Sequence, residues 1–481
     1  MIGLITNYKP FFGDICDEIR LFFAQKKIDD VQKAAVCGLF VRVFFYEDAI
    51  WQVECEVILD GIIRHDYKDS MPGETGSALQ VKKIKKRFVK KAVYELLKEY
   101  TGQKPPWGAL TGIRPTKLAR DLLSEMGKNA RDFFQKEFDV DAPKTQLAFD
   151  IVETQLPVIE KITNHDIDIY VGIPFCISRC SYCSFVSRDI GKCKGLDAQY
   201  MEALLCEING AKDILLGRNI RCVYVGGGTP TALSAAQLKM LFKAVNQSFP
   251  GYTEFTVEAG RPDTIDENRL KVIRDAGATR ICVNAQTTNT DTLARIGRAY
   301  GSAEFGRAFE LVRKFGFDNV NTDIILGLPG ENLSDVKKTL ADVCAYKPEN
   351  VTVHTLAVKN AANLTLEETQ KYADADAVNG MVEFSRTFLQ DRGYLPYYLY
   401  RQKYMAGNME NVGYAQPGKL CLYNIDIMEE LADNVSFGAG GMSKRIFHGK
   451  NRIERSCNLK EVGLYIRSID DMIGRKHQLF K

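Results

Sequence analysis

The sequence predicts an α/β protein whose central part is a partial (β/α)6 barrel, preceded by an N-terminal α+β domain and followed by a C-terminal α+β extension. Three observations lead there. From about Asp168, six short β-rich runs alternate with amphipathic helical stretches. The units recur at roughly 30-residue spacing, the length that parallel strands need for helical crossovers. Six of them are too few to close a barrel of eight strands.

The N-terminal domain is expected over residues 1–160, with a hairpin across Ala34 to Leu59 and helices after it. Seven of the ten residues from Lys82 to Lys91 are basic. Val81, Ile84, Phe88, Ala92 and Leu96 recur there at helical period, so the charges read as the solvated face of a helix, against the alternative of a patch for RNA or an acidic partner. The Pro- and Gly-rich stretch from Pro105 to Lys117 reads as a shaped loop entering a helix. The core is expected over residues 165–360. Its candidate strands are Asp168 to Gly172, Arg221 to Val225, Thr253 to Glu258, Arg280 to Asn284, Asn319 to Ile325 and Asn350 to Thr355. Between them lie helical patterns over Leu196 to Leu216, Ala235 to Ser248, Asp266 to Ala276, Ala303 to Phe315 and Leu333 to Ala345. The extension is expected over residues 361–481, as a region that would cover a substrate, with a helix from Leu366 to Gln390, short β-like runs to about Arg455 and a terminal helix.

Composition excludes several classes. Lys plus Arg at 64 against Asp plus Glu at 61 gives a net charge of +3, which argues against a polyanion-binding surface spread over the chain. No apolar run reaches the ~18 residues of a membrane span, and Met1 to Pro10 lacks a charged segment followed by an apolar core, so a cytoplasmic protein is expected. Thirteen cysteines, an odd number spread over a long chain, suit reduced, buried or ligating thiols better than disulfides.

The strongest local motif follows the first barrel strand: Cys176, Cys180 and Cys183 at spacing C-x3-C-x2-C. Three thiolates on one loop can hold three corners of an iron–sulfur cubane and leave one iron open. A structural zinc site with Cys193 as fourth ligand is the alternative, although zinc loops favour paired C-x2-C or Cys/His knuckles; unliganded core cysteines are another. Gly226-Gly227-Gly228-Thr229 ends the second strand, a turn whose backbone can approach a ligand closely. Glu258, Gln286 and Asp323 stand at or just after strands three, four and five, and Arg298 falls in the helical segment after strand four. Their common rim is where parallel sheets gather chemistry.

These features resemble the radical S-adenosylmethionine (SAM) superfamily, and within it the oxygen-independent coproporphyrinogen III oxidase family over about residues 165–450. The segments Trp107 to Lys117, Thr256 to Asp263, Tyr397 to Lys403 and Glu410 to Gly418 look most like its HemZ-like branch. The resemblance implies a [4Fe-4S] cluster on Cys176, Cys180 and Cys183. It implies SAM held by Tyr170, Tyr182, Gly227, Gly228, Thr229, Glu258, Gln286, Arg298 and Asp323, with Ala357 as a weaker backbone match. No catalytic protein group beyond the cofactors is implied. The implied reaction is decarboxylation of coproporphyrinogen III propionates to vinyl groups by a 5′-deoxyadenosyl radical. Implied partners are the porphyrinogen and an electron donor such as flavodoxin or ferredoxin; a monomer with no membrane or nucleic-acid partner is expected. The family also holds haem chaperones and methyltransferase-like haem-degrading enzymes, and an RNA-modifying enzyme using Lys82 to Lys91 is a further alternative. Gly172 departs from the pattern, since better-studied members have His there. A four-carboxylate substrate needs cations beside aromatic surface, which the Tyr394 to Tyr404 run with Arg401 and Lys403, the Lys444-Arg445 pair and His354 could supply; a strand with one buried face explains the tyrosines equally well.

Overall fold

Two sheets organise the chain. The computed structural model describes all residues except 24–25, 31–37, 113, 194, 299, 358–373, 403–404 and 450–451. They form two units, Met1–Phe149 and Asp150–Lys481.

In the first unit, β1 (Ile2–Thr6), β2 (Ile28–Asp30), β3 (Leu39–Glu47), β4 (Ile50–Leu59) and β5 (Ile62–Pro72) form a sheet of order β2-β1-β3-β4-β5. The expected hairpin is β3–β4, with its residues 34–37 outside the described ones, and β5 extends it into a meander. Helices α1 (Phe12–Phe22) and α2 (Ala78–Thr101) share one apolar core with that sheet. A Ser77–Gln80 capping box starts α2 and Gly102, at φ 66°, ends it. Its basic face is paired within the unit: Lys85 with Glu47, Lys86 with Asp14, Lys90 with Glu18 and Lys91 with Glu137. Internal pairing favours the helix-face reading over an RNA patch. As expected, the loop before Lys117 enters a helix, α3 (Pro115–Met126), which is followed by α4 (Ala130–Glu137) and α5 (Ala142–Ile159).

In the second unit the six expected strands are present as β6 (Asp166–Ile173), β9 (Asn219–Gly227), β10 (Glu254–Gly260), β11 (Arg280–Val283), β12 (Val320–Leu326) and β13 (Asn350–Thr355). Two short strands, β7 (Phe175–Cys176) and β8 (Arg188–Asp189), bracket the cysteine loop. Crossover helices are α6 (Leu196–Ala211), α7 (Ala235–Ser248), α8 (Glu267–Asp275), α9 (Thr290–Arg295), α10 (Ser302–Lys314) and α11 (Leu333–Ala345). Side-chain caps from Ser234, Asp266, Asn289 and Asn332 start four of them.

The C-terminal strands join this sheet rather than standing beside it. Its order is β14-β15-β13-β12-β11-β10-β9-β6-β16-β17-β18, with β14 (Leu395–Tyr400) and β15 (Asn411–Ala415) antiparallel at one edge. At the other edge β16 (Asp433–Phe437) runs parallel to β6, and β17 (Met442–Phe447) and β18 (Arg452–Cys457) follow antiparallel. Seven parallel strands therefore form the open barrel. The helix expected from Leu366 is described from its α12 part, Ala375–Gln390; residues 366–373 lie outside the described ones. The chain ends in α14 (Val462–Arg467) and α15 (Ile469–Phe480).

Register aligns Asp168, Cys222 and Glu254 in one row across β6, β9 and β10. Helix α13 (Leu422–Glu429) packs on this row. Glu254 accepts hydrogen bonds from the Leu422 and Tyr423 amides at 3.1 and 3.3 Å, and Arg280 donates to the Lys419 carbonyl at 2.7 Å. Tyr423 stacks on Tyr224 at 4.5 Å and on Tyr170 at 6.3 Å. Beneath them burial raises the carboxyl pKa values of Asp168 and Asp426, Asp426 to about 7, so this buried pair retains a proton beside Arg221. No helix of the described residues is long and apolar enough to cross a membrane.

Candidate radical SAM site

The strand ends converge on the cysteine loop. Gly228 donates to the Ile173 carbonyl at 2.8 Å and Thr229 to the Phe175 carbonyl at 2.7 Å, which ties the glycine turn to the backbone entering Cys176. A Cβ on Gly228 would stand 2.4 Å from the Phe175 oxygen, so the turn must be glycine to lie that close. Thr229 Oγ1 lies 3.2 Å from Cys176 Sγ. Cys176 and Cys180 are buried and Cys183 half-buried; burial, with the neighbouring Cys180 and Cys176, pushes the Cys183 thiol up. Among the described residues only Asp168, Cys222 and Asp426 bring three potential ligand atoms within 4.8 Å of one another. The loop thiols are spread wider, which suits a multi-iron cluster better than one zinc ion.

Three groups of expected residues line the rim. In the first, Gly227 N donates to Glu258 Oε2 at 3.1 Å, and Tyr224 hydroxyl donates to Oε1. Burial pushes Glu258 up to about 7. In the second, the Gln286 amide donates to the Asp323 carbonyl at 2.8 Å, and Ile325 N to the Gln286 carbonyl at 2.8 Å. Gln286 sits at φ 64°, a left-handed conformation costly for a side chain of its size, and its buried Oε1 has no hydrogen-bond partner. Burial would raise Asp323, but His354, 3.7 Å away, and Asn321, which donates at 2.8 Å, hold its carboxyl below the ordinary range. In the third, Arg298 is buried and donates to the Asn284 carbonyl at 2.9 Å, to Tyr300 and to the Tyr182 hydroxyl at 3.1 Å. Ala357 pairs with Met405 in an isolated bridge just beyond β13.

A cleft opens beside Gly227 of the first group, lined by Tyr170, Gly172, Gly227, Phe185, Ala439 and Gly440, among others. The Gly438 to Gly441 turn reaches it from β16, and a Cβ on Gly438 would lie 2.4 Å from the Gly172 oxygen. Tyr200 hydroxyl donates to that oxygen at 2.6 Å and accepts from the Ala439 amide at 3.1 Å. Where relatives are expected to carry His, this chain thus has a glycine against a second turn. The buried unpartnered Gln286 Oε1, Asn284 Oδ1 and Arg298 Nε at the rim, with three thiols on one loop, fit a polar cofactor beside a cluster.

Several expectations are corrected. Arg298 lies beyond α9 rather than within a helix, because Gly297, at φ 80°, ends the turn before it. Tyr397 and Tyr398 are buried in the core with Tyr423, so the tyrosine run is mainly a packed strand. Arg401 is buried and donates to the Asn408 carbonyl at 2.9 Å, and Arg445 donates to the Leu479 carbonyl at 3.0 Å. Lys403 and Tyr404 lie outside the described residues. Tyr400 stays with the rim, 3.3 Å from His354 Nδ1. Sequence reasoning gave no role to Arg261, which donates to Ser178 Oγ at 2.8 Å inside the cysteine loop.

Comparison with known proteins agrees with this geometry. The model of the radical SAM superfamily matches residues 170–343. The chain is 37% identical over 400 residues to the oxygen-independent coproporphyrinogen-III oxidase-like protein HemZ of Bacillus subtilis (strain 168), covering 80% of each chain. It is 27% identical over 283 residues to the heme chaperone HemW of Escherichia coli (strain K12), covering 58% of this chain and 71% of that one. The fold is shared with coproporphyrinogen III oxidase (HemN) from Escherichia coli, with TM-score 0.52 and 22% identity over 67% of this chain and 73% of that structure.

Proposed function

The chain belongs to the radical SAM superfamily, among the oxygen-independent coproporphyrinogen-III oxidase-like proteins, and so works with a [4Fe-4S] cluster and SAM; from that premise we propose that it converts propionate groups of coproporphyrinogen III to vinyl groups. The observation that carries this reading is the rim itself, where the glycine turn is tied to the backbone entering Cys176 and, through Gly227 at the edge of the cleft, to Glu258, while Gln286 leaves a buried Oε1 without a partner. When bound, the two cofactors supply one-electron bond cleavage and a hydrogen-abstracting radical. The protein's part is to hold and shield.

Cys176, Cys180 and Cys183 hold the cluster as thiolates. Glu258 and Asp323 accept hydrogen bonds from hydroxyl or ammonium donors, and Asp323 suits this task most at neutral pH because its partners keep it ionised. Arg298 orients Tyr182 within the cysteine loop through its 3.1 Å contact and would help to position a bound SAM. Gly227 to Thr229 offer close backbone approach, and Tyr170 closes the floor against Tyr224 and Tyr423. The Gly438 to Gly441 turn, from the region expected to cover substrate, narrows the cleft beside Gly172.

The haem chaperone reading is supported by a specific observation, the similarity to HemW proteins. Anaerobic incubation of reconstituted protein with coproporphyrinogen III, SAM and a strong reductant separates the two. Release of one CO2 per propionate supports the oxidase; stoichiometric haem binding with no CO2 release overturns it.

A further inference from the structure

At the end of β10 the register with β11 shifts between Glu258 and Gly260, a bulge, and Gly260 takes φ 61°. One 3-10 turn, Pro262–Thr264, follows. The backbone there is fixed: Thr231 Oγ1 donates to the Ala259 carbonyl at 2.7 Å, and Thr264 N to the Arg261 carbonyl at 3.0 Å. This bend sends Arg261 inward, where it is 3% exposed.

The guanidinium is divided between two tasks. Nε and Nη2 make a bidentate pair with Asp263, at 3.0 and 2.8 Å. Nη1 faces the other way, donating to Ser178 Oγ at 2.8 Å and standing 3.8 Å from Cys180 Sγ. The carboxylate therefore sits on the far edge, while the positive edge faces the thiol. Burial weakens screening, so this orientation acts on any charge held at Cys180.

We infer that Arg261 is a positioning residue that raises the reduction potential of the cluster by directing a guanidinium N–H and its charge at the Cys180 sulfur. The inference rests on the reading that Cys176, Cys180 and Cys183 hold the cluster. Hydrogen bonds and positive charge at cluster sulfurs favour the reduced, more negative state. The step concerned is uptake of one electron by the oxidised cluster from an external low-potential one-electron donor, with no bond formed or broken and no proton moved. Asp263 locks the guanidinium against rotation, and Ser178 fixes the loop that carries the sulfur.

The test is an anaerobic potentiometric titration of reconstituted full-length protein, followed by electron paramagnetic resonance, for wild type, Arg261→Gln and Arg261→Lys. Arg261→Gln should lower the equilibrium constant for reduction about tenfold, which is about 59 mV for one electron. Arg261→Lys, which keeps the charge, should recover most of that shift. A merely structural role would change iron content or melting temperature and leave the potential of the loaded fraction unmoved. Equal potentials in wild type and Arg261→Gln overturn the inference while leaving the cluster site standing. If Arg261→Gln takes up no iron, Arg261→Met serves in its place as the uncharged variant: a potential about 59 mV below wild type supports the inference, and a potential equal to wild type overturns it. Wild type that takes up no iron, as Cys176→Ala should not, overturns the cluster reading itself.

Discussion

Lys476→Met should loosen the C-terminal wall of the cleft, because Lys476 on α15 is 1% exposed and neutralises Glu207, which is fully buried on α6. Glu207 is the hub of a network: Oε2 accepts from the Gly438 amide at 2.8 Å and the Tyr465 hydroxyl at 2.6 Å, and Oε1 from Asn458 Nδ2 at 2.7 Å. Removing one partner of a buried ion pair costs about 3–5 kcal/mol, and the three remaining donors place this case near ~3 kcal/mol. An unfolding entropy of about 2.1 cal/mol/K per residue sums to about 0.7 kcal/mol/K over the Asp150–Lys481 unit. The melting temperature of that unit should therefore fall by about 4 °C. Calorimetry under reducing conditions measures it, alongside Glu207→Gln/Lys476→Met, which removes both charges and should recover most of the loss. Because Gly438 abuts Gly172, the single variant should also bind SAM more weakly. A melting point within 1 °C of wild type, or a double variant less stable than the single, would refute the reasoning.

Three further outcomes follow from the rim. Glu258 rises from an ordinary 4.5 to about 7 in the fold, so the folded state binds the extra proton between those values and stability falls as pH rises through them. The loss is about 3 kcal/mol at 1.36 kcal/mol per unit, and Glu258→Gln should lack this slope in melting curves of cofactor-free protein; parallel curves would contradict it. Gln286→Gly should relieve left-handed strain worth about 1–2 kcal/mol, partly offset by glycine's added freedom when unfolded, leaving stability unchanged or slightly higher. SAM affinity in equilibrium dialysis should nevertheless fall about tenfold, roughly 1.4 kcal/mol for the lost Oε1 contact; stability and affinity falling together would make Gln286 structural only. Asp323→Ala should weaken SAM binding with iron content unchanged, and normal SAM binding would remove Asp323 from the site.

How far the sequence reveals this molecule depends on the range of the interaction. The six barrel strands are legible because buried parallel strands are apolar runs between helices with local caps, as in β6 and its neighbours. The α2 stripe is legible for the same local reason. Strand β16 is not: Asp433–Phe437 is short and polar in part, and its place as a seventh parallel strand comes from its distant pairing with β6. β5 is likewise charged, and its pairing with β4 defines it. In the site, the cysteines and the glycine turn are legible by spacing, whereas Arg261 sits in a polar turn sequence that reads as surface. Only the bulge and Gly260 turn it inward. The tyrosines of β14 mislead in the opposite direction, since aromatic residues suit a packed strand as well as a ligand face.

The most direct measurement follows a hydrogen atom. Coproporphyrinogen III deuterated at the β-carbons of its propionates should, in a single anaerobic turnover with reconstituted protein, SAM, a reductant for the cluster and a one-electron acceptor for the electron released with CO2, deliver deuterium to 5′-deoxyadenosine with matching release of CO2 and a vinyl product. Unlabelled 5′-deoxyadenosine with no CO2 from protein that carries its cluster and cleaves SAM would contradict the proposed reaction.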